Sequence, residues 1–200
     1  TVGDVTSFDD ADKTHTYNEA GTYEVVISGV LEGLAMHIDN DMVEDEPNPH
    51  RNKLLRVPNL GHLGYRSLKL AFSGCEQLTS VAGGVTSGVT NMYGVFSRAS
   101  NVTPDVNDWD VSQVTTMSGM FYRAESADPD VSQWDVGQVT DMSGLFRGAK
   151  SANPNVSNWD VSEVTQMSGM FREAETATPD VSRWDVGKVT EMYAMFADAK

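Results

Sequence analysis

The chain has 200 residues, a formal net charge of −15 and a single cysteine. This acidity argues against partners such as nucleic acid or anionic membrane surfaces, because binding to either depends on lysine and arginine. No apolar run reaches the roughly 18 residues of a membrane-spanning helix, so no membrane insertion is expected. The lone Cys75 excludes an intramolecular disulfide and is predicted to be a buried small apolar residue.

Residues 1–53 do not repeat, and we predict that they form an N-terminal β cap followed by a loop. Alternating apolar residues predict a half-buried strand over Gly21–Val30, and a turn then leads into a second strand over Leu34–Ile38. The polar, proline-broken stretch Asn40–Lys53 is predicted to be a loop. A small antiparallel β unit of this kind would suit the cap that a stack of repeats needs at its end.

Residues 54–200 repeat with a period of about 25 residues. Tryptophan, phenylalanine, methionine and proline recur at this step, and each tryptophan is followed by aspartate. A fixed period in this range indicates stacked supersecondary units, which bury a core only between neighbours. We predict six coils, with strands that start near residues 57, 81, 106, 131, 156 and 181. Because the chain begins without methionine and ends at Lys200 in mid-pattern, we expect a fragment of a longer protein, with further repeats or self-association at its open C-terminal coil.

One coil is predicted from the spacing of Val131, Trp134, Val136 and Val139, which matches the strand of a leucine-rich repeat. A short parallel strand is expected over Val131–Val136, and a short helix or 3₁₀ turn over residues 139–146. The predicted fold is therefore an α/β solenoid, a right-handed leucine-rich-repeat-like stack capped by the β unit.

The tryptophan column invites two interpretations. Exposed rings would make a platform for carbohydrate, whereas inward rings would stack in the core. The strand pattern puts them at inward positions, which favours the core, and the methionines at helical spacing are assigned to the core as well. Arginines at positions 98, 123, 147 and 172 are predicted on an edge or on the convex face, with Glu125 or Glu173 as ion-pair partners.

Residues between the apolar positions are predicted to face outward on the concave surface. They form two columns. The variable column changes from coil to coil and consists of Asp108, Gln133, Asn158 and Arg183. The aspartate ladder is the same in every coil and consists of Asp110, Asp135, Asp160 and Asp185.

Carboxylates stacked about 4.8 Å apart would repel one another by roughly 1 kcal/mol per solvated pair. Three arrangements would offset this repulsion. The carboxylates accept hydrogen bonds from the following backbone and from hydroxyls such as that of Thr140, they bind Ca²⁺, or they await a basic partner. An unchanging residue suits a structural role, so the variable column is the better candidate for ligand recognition.

No motif for catalysis is found: the four histidines are scattered, and there is no zinc motif or phosphate-binding loop. A glycosidase would need two carboxylates in different environments, which a uniform ladder does not offer. We therefore expect no enzymatic activity and no cofactor, with Ca²⁺ as the one ion that the ladder could hold.

The repeated phrase WDVSxVTxMSxMF resembles the repeat of BspA-like bacterial surface leucine-rich-repeat proteins, over residues 57–200. The stretch from His15 to Leu34 resembles the β segment that often precedes such repeats, and the end of a PKD-like domain. The resemblance implies an extracellular location on a bacterial cell surface and a role in adhesion or cell contact, without catalysis. The partner would be a protein, peptide or glycan bound on the concave face. The alternative is a structural spacer that extends an adhesin and has no ligand of its own.

Overall fold

The structure is a computed structural model and describes residues 51–62 and 64–199, together with Gly21. Apart from Gly21, the strands predicted over Gly21–Val30 and Leu34–Ile38 lie outside the described residues. Within the described part, the regular elements are a 3₁₀ helix over Arg51–Lys53 and the strands β1 (Arg56–Val57) and β2 (Ser80–Val81). The 3₁₀ helix corrects the end of the loop predicted over Asn40–Lys53. Strands β1 and β2 pair in parallel, with Val57 opposite Val81.

Outside β1 and β2, neighbouring repeats are joined at equivalent positions by single parallel bridges. These bridges connect residues 24 or 25 positions apart: Ser67–Asn91, Asn91–Thr116, Thr116–Asp141, Asp141–Gln166 and Gln166–Glu191. Each repeat therefore lies beside the next one in the same direction along this line.

The backbone around each bridge alternates between two kinds of hydrogen bond. The N–H of Met117 donates to the carbonyl of Asp141 in the next repeat at 3.0 Å, and that of Gly119 donates to Ser143 at 2.8 Å. The next N–H, that of Met120, turns back to the carbonyl of Met117 at 3.0 Å, and that of Phe121 again donates to the next repeat, to Leu145 at 2.9 Å. Alternate residues thus close turns inside the repeat or bond to its neighbour, which satisfies the buried backbone groups without a regular strand or helix.

The repeated Met-Ser-Gly sequence explains why this segment turns. Gly144 has a φ of 61°, and the N–H of Leu145 donates to the carbonyl of Met142 at 3.2 Å. A positive φ at the third residue of such a turn defines type II, where glycine is preferred. The helix or 3₁₀ turn predicted over residues 139–146 is therefore wrong: the residues form successive turns.

The strand predicted over Val131–Val136 is also wrong. Turns occupy residues 132–133 and 137–138. The N–H of Trp134 donates to the carbonyl of Val131 at 3.2 Å, and the N–H of Val139 donates to that of Val136 at 2.9 Å. Backbone groups committed to these turns are not free for a sheet, so the parallel pairing falls about ten residues later, at Asp141.

The predicted core positions are confirmed. In the repeat that begins at Val131, the side chains at all the apolar template positions are at most 4% exposed: Val131, Trp134, Val136, Val139, Met142 and Phe146. Phenylalanine rings of successive repeats stack 5.4 to 5.7 Å apart, from Phe72 through to Phe196. Cys75 is also fully buried, and burial raises the pKa of its thiol to about 11. Like side chains therefore pack on like side chains along the whole stack.

The last described repeat is open on one side. Val186, Met192 and Phe196 are 42 to 44% exposed, although their counterparts one repeat earlier are buried. Self-association through this end stays a prediction. Among the described residues, no helix has the length and apolarity needed to cross a membrane.

Candidate functional site

The aspartate ladder is held by turns in its own repeats. Asp110 Oδ1 accepts hydrogen bonds from the N–H of Ser112 at 3.0 Å and from its hydroxyl at 2.7 Å. These two bonds, with the hydroxyl contributing more, hold the pKa of Asp110 below its ordinary value. Asp160 has the same arrangement with Ser162, and its pKa is lowered for the same reason. A carboxylate that accepts from the residue two positions later defines an Asx turn.

The other two ladder residues make the backbone part of this contact. Asp135 accepts from the N–H of Gly137 at 3.1 Å, and Asp185 accepts from the N–H of Gly187 at 3.0 Å. The prediction that the following backbone caps each aspartate is confirmed. The predicted contribution of the threonine hydroxyls is wrong, because Thr140 donates instead to the carbonyl of Thr115 at 3.2 Å.

The carboxylates of Asp135 and Asp160, in neighbouring repeats, both lie near Gly137. A methyl group built on Gly137 would lie 3.3 Å from Asp135 Oδ1 and 3.9 Å from Asp160 Oδ2. Within residues 51–62 and 64–199, however, no three acidic, histidine or cysteine side chains form a group that could hold a metal ion. Calcium binding by the ladder stays a prediction.

The tryptophan side chains pack beneath the backbone that carries the ladder aspartates. Trp109, Trp134 and Trp159 are 3 to 4% exposed, which confirms their assignment to the core, whereas Trp184 in the open repeat is half-buried. Each indole N–H donates to a carbonyl of the preceding repeat, as from Trp134 to Val106 at 3.1 Å. The residues on either side of each tryptophan are therefore held in place through the indole, although they lie in turns and not on a strand.

The predicted site residues are all exposed, and the structure brings four of them together. A shallow depression of about 350 Å³ is lined by side chains of two repeats, among them Gln133, Asp135, Asn158 and Asp160. The remaining four do not line it: Asp108, Asp110, Arg183 and Asp185. The two columns thus form one exposed surface, here called the aspartate face, with its concave part between the second and third tryptophan repeats.

Ion pairs beside these surfaces are exposed. Lys188 and Glu163 are 2.6 Å apart, with both side chains about half exposed, so the pair contributes little to stability. Glu173 lies 3.0 Å from Arg172 and 3.9 Å from Arg147, as predicted for that carboxylate. Glu125 pairs instead with Lys150 at 3.2 Å, so its predicted pairing with an arginine is not among the described contacts.

A second depression, of about 270 Å³, was not predicted from the sequence. It is lined by the glycines of the repeated turn, by serines beside them, and by Tyr122 and Arg147. A signal for it is present in the sequence, because a glycine at the same place in four successive repeats favours a turn over a helix. Tyrosine and arginine directly after the core phenylalanines also mark the point where the turns reach solvent.

Comparisons with known proteins give one result. The chain matches the profile of a family described as "Mycoplasma protein of unknown function, DUF285" twice, over residues 66–154 and 124–200. Together the two matches cover more than half of the chain. Comparisons with curated proteins and with solved structures found no match. The chain therefore belongs to the DUF285 family.

Proposed function

We propose that the chain is a non-catalytic binding or adhesion module of a larger protein on a bacterial cell surface. In this proposal the repeats form a right-handed solenoid of leucine-rich-repeat type, similar to those of BspA-like proteins. The WDVSxVTxMSxMF phrase and the parallel bridges between equivalent positions support it. The partner would be a protein, peptide or glycan outside the cell.

One observation carries the proposal: the tryptophan and the aspartate of each repeat are constant, whereas the exposed residue just before the tryptophan changes from repeat to repeat. The tryptophan and the aspartate of the frame are the same in four consecutive repeats, and the indole of each is anchored to the preceding repeat. The residue just before each tryptophan is exposed and differs every time, being acidic, amide or basic. A polar residue that changes in every repeat beside this constant tryptophan and aspartate supports recognition of a partner at that exposed position.

The aspartates of the face have a double role in the proposal. Their Asx turns fix the backbone, and their remaining oxygen atoms stay exposed beside the variable column. A partner with basic or amide groups could contact both columns at once, because acceptors and donors alternate across the depression between Gln133 and Asn158.

The test is a pair of charge changes on the aspartate face. The double variant Arg183→Glu with Gln133→Lys is compared with the unmodified chain in attachment of protein-coated beads to host cells and in binding to glycan and peptide arrays. The proposal predicts loss of attachment. A matched control is Lys150→Glu with Ser151→Lys, because it makes the same charge changes at exposed positions that line neither depression.

Unchanged attachment by the aspartate-face variant would contradict the proposal and favour the structural spacer. Equal loss in both double variants would also contradict it, because the effect would then come from charge and not from the face. Urea unfolding of each variant checks that the fold is retained.

A further inference from the structure

The second depression is a groove built from the repeated turns, here called the glycine-serine groove. Glycines with φ near 60° line it in three successive repeats: Gly94, Gly119 and Gly144. Serines that directly precede the glycine position line it as well: Ser118, Ser143 and Ser168. Because no side chain projects from the glycines, the groove runs across several repeats, and its polar groups are mainly hydroxyls.

Three arginines surround the ring of Tyr122, and Tyr122 and one of these arginines, Arg147, line the groove. The guanidinium carbons of Arg98, Arg123 and Arg147 lie 5.9, 5.4 and 5.5 Å from the centre of the Tyr122 ring. These cation–π contacts hold three like charges around one ring, in a chain whose net charge is −15. The side chain of Arg123 has room there because its neighbour in the next repeat is Gly148, where a methyl group would lie 3.1 Å from Arg123 Cγ.

The charge of Arg147 is only partly compensated. Arg147 is 3.9 Å from the carboxylate of Glu173, which lies closer to Arg172, at 3.0 Å. The Nε atom of Arg147 is buried and has no hydrogen-bond partner among the described residues. One carboxylate therefore serves two guanidinium groups, and the exposed part of the Arg147 guanidinium on the groove lining could also bind an anion.

We propose that the glycine-serine groove binds an acidic oligosaccharide, with its carboxylate or sulfate groups against Arg123 and Arg147 and its hydroxyls against the serines. The ring of Tyr122 is occupied by guanidinium groups, so it orients the charges and is not a stacking platform for sugar. An open groove of about 270 Å³ is small, and it suits contact with a few sugar units of a longer chain.

The backbone beneath the groove favours a glycan over an acidic peptide. The N–H of Gly119 already donates to Ser143, and its carbonyl accepts from the N–H of Tyr122 at 3.0 Å. Gly144 is bonded in the same way, to Ser168 and Arg147. A peptide strand could not extend the backbone hydrogen bonding at these two glycines, because their N–H groups are already used, whereas a glycan needs only the hydroxyls and guanidinium groups.

This inference goes beyond the proposed function, because the groove shares no lining residue with the depression of the aspartate face. A negative result for one surface therefore leaves the proposal for the other surface standing. Variants of the groove leave the variable column intact, and the Arg183→Glu and Gln133→Lys changes leave the groove intact.

The test is a binding titration of the 200-residue chain with fluorescently labelled probes: oligogalacturonate, which carries carboxylates, oligomeric dextran sulfate, neutral dextran and hexaglutamate. We expect at least one acidic oligosaccharide to bind, with affinity that falls as salt rises. Neutral dextran and hexaglutamate should bind at least tenfold more weakly. The preferred acidic probe shows whether carboxylate or sulfate is the recognised group.

The double variant Arg123→Gln with Arg147→Gln should lose at least tenfold in affinity. Arg66→Gln with Lys150→Gln is the matched control, because it removes the same charge at exposed positions that line neither depression, and it should change affinity less than twofold. Should the arginine variant fold poorly in urea unfolding, Ser143→Ala with Ser168→Ala replaces it, with an expected loss of at least threefold. Absence of binding by both acidic probes would overturn the proposal. So would hexaglutamate binding as tightly as the glycans, or equal losses in the groove and control variants.

Discussion

Gly144→Ala tests the account of the repeated turns. Gly144 has a φ of 61°, and a methyl group there would lie 3.8 Å from Arg147 Cβ, an ordinary contact. Its cost is therefore one of backbone conformation and not of steric overlap. The left-handed conformation costs an alanine about 1–2 kcal/mol. The smaller conformational freedom of alanine in the unfolded chain offsets roughly 0.4–1 kcal/mol of this. We expect a net loss of about 1 kcal/mol in the free energy of unfolding.

The conformational cost can be separated from size by a second substitution. Asparagine is larger than alanine but tolerates positive φ better, so Gly144→Asn should be at least as stable as Gly144→Ala. A control is Gly137→Ser, because serine stands at the equivalent positions 112 and 162, and no positive φ is present there. This variant should differ from the unmodified chain by less than about 0.5 kcal/mol.

The assay is urea unfolding at 25 °C followed by tryptophan fluorescence, with the slope of the transition checked for constancy. If Gly144→Asn is clearly less stable than Gly144→Ala, crowding and not φ governs the position, and the type II turn would be refuted. The last repeat already carries alanine there, at Ala194 with a φ of 52°. Ala194→Gly should therefore leave the fold intact and should not lower the urea midpoint.

Four further predictions address the core and the charged turns. Trp134→Phe removes the indole donor 3.1 Å from the carbonyl of Val106 and leaves a buried acceptor unpaired, so urea unfolding should show a loss of about 1–3 kcal/mol; an unchanged midpoint would contradict the anchoring role. The lowered pKa of Asp110 means that its contribution to stability is present above the unfolded pKa of about 3.9 and is lost as pH falls through the folded value. Urea midpoints should therefore fall between pH 5 and pH 3, and Ser112→Ala should flatten this fall. Cys75, buried and with its pKa raised to about 11, should react with a thiol reagent only in urea, and fast reaction of the folded chain would show that the core opens. Removal of divalent metal with EDTA should leave the melting temperature unchanged if Asx turns stabilise the aspartate ladder, whereas a lower melting temperature would favour calcium.

The buried positions could be predicted from the sequence because the apolar residues recur with one period, of about 25 residues. A residue that is buried in one repeat has the same neighbours above and below as its counterparts, so the column of Phe121 and Phe146 was identifiable without knowledge of the backbone path. The burial of Trp134 followed from the same argument. The fold class, with its right-handed winding, stays a prediction.

The backbone path could not be read from that pattern. The spacing of Val131, Trp134, Val136 and Val139 fits an extended strand and a chain of turns equally well, because it fixes only which side chains point inward. The deciding contacts are local and polar. Asp130 and Asp135 accept hydrogen bonds from the residue two positions later, and this competes with sheet pairing.

The glycine-serine groove was missed for a related reason. The Met-Ser-Gly phrase was interpreted from its apolar spacing alone, which suits a helix. A glycine at that place in four repeats, three of them with the Met-Ser-Gly phrase, is costly in a helix and favourable at positive φ. In the observed turns, Tyr122 and Arg147 reach the surface beside the serines of neighbouring repeats, a position that a helix would not have predicted. Only the turn geometry puts both beside the serines.

Stacking through the backbone has a genetic consequence. Equivalent atoms bond across every boundary between repeats, and each phenylalanine meets another phenylalanine whichever unit comes next. A unit of 25 residues could therefore be duplicated, deleted or exchanged by recombination without loss of register on either side. The length of such a protein can then drift between relatives, and a newly copied unit can acquire a different residue before its tryptophan while its core stays intact.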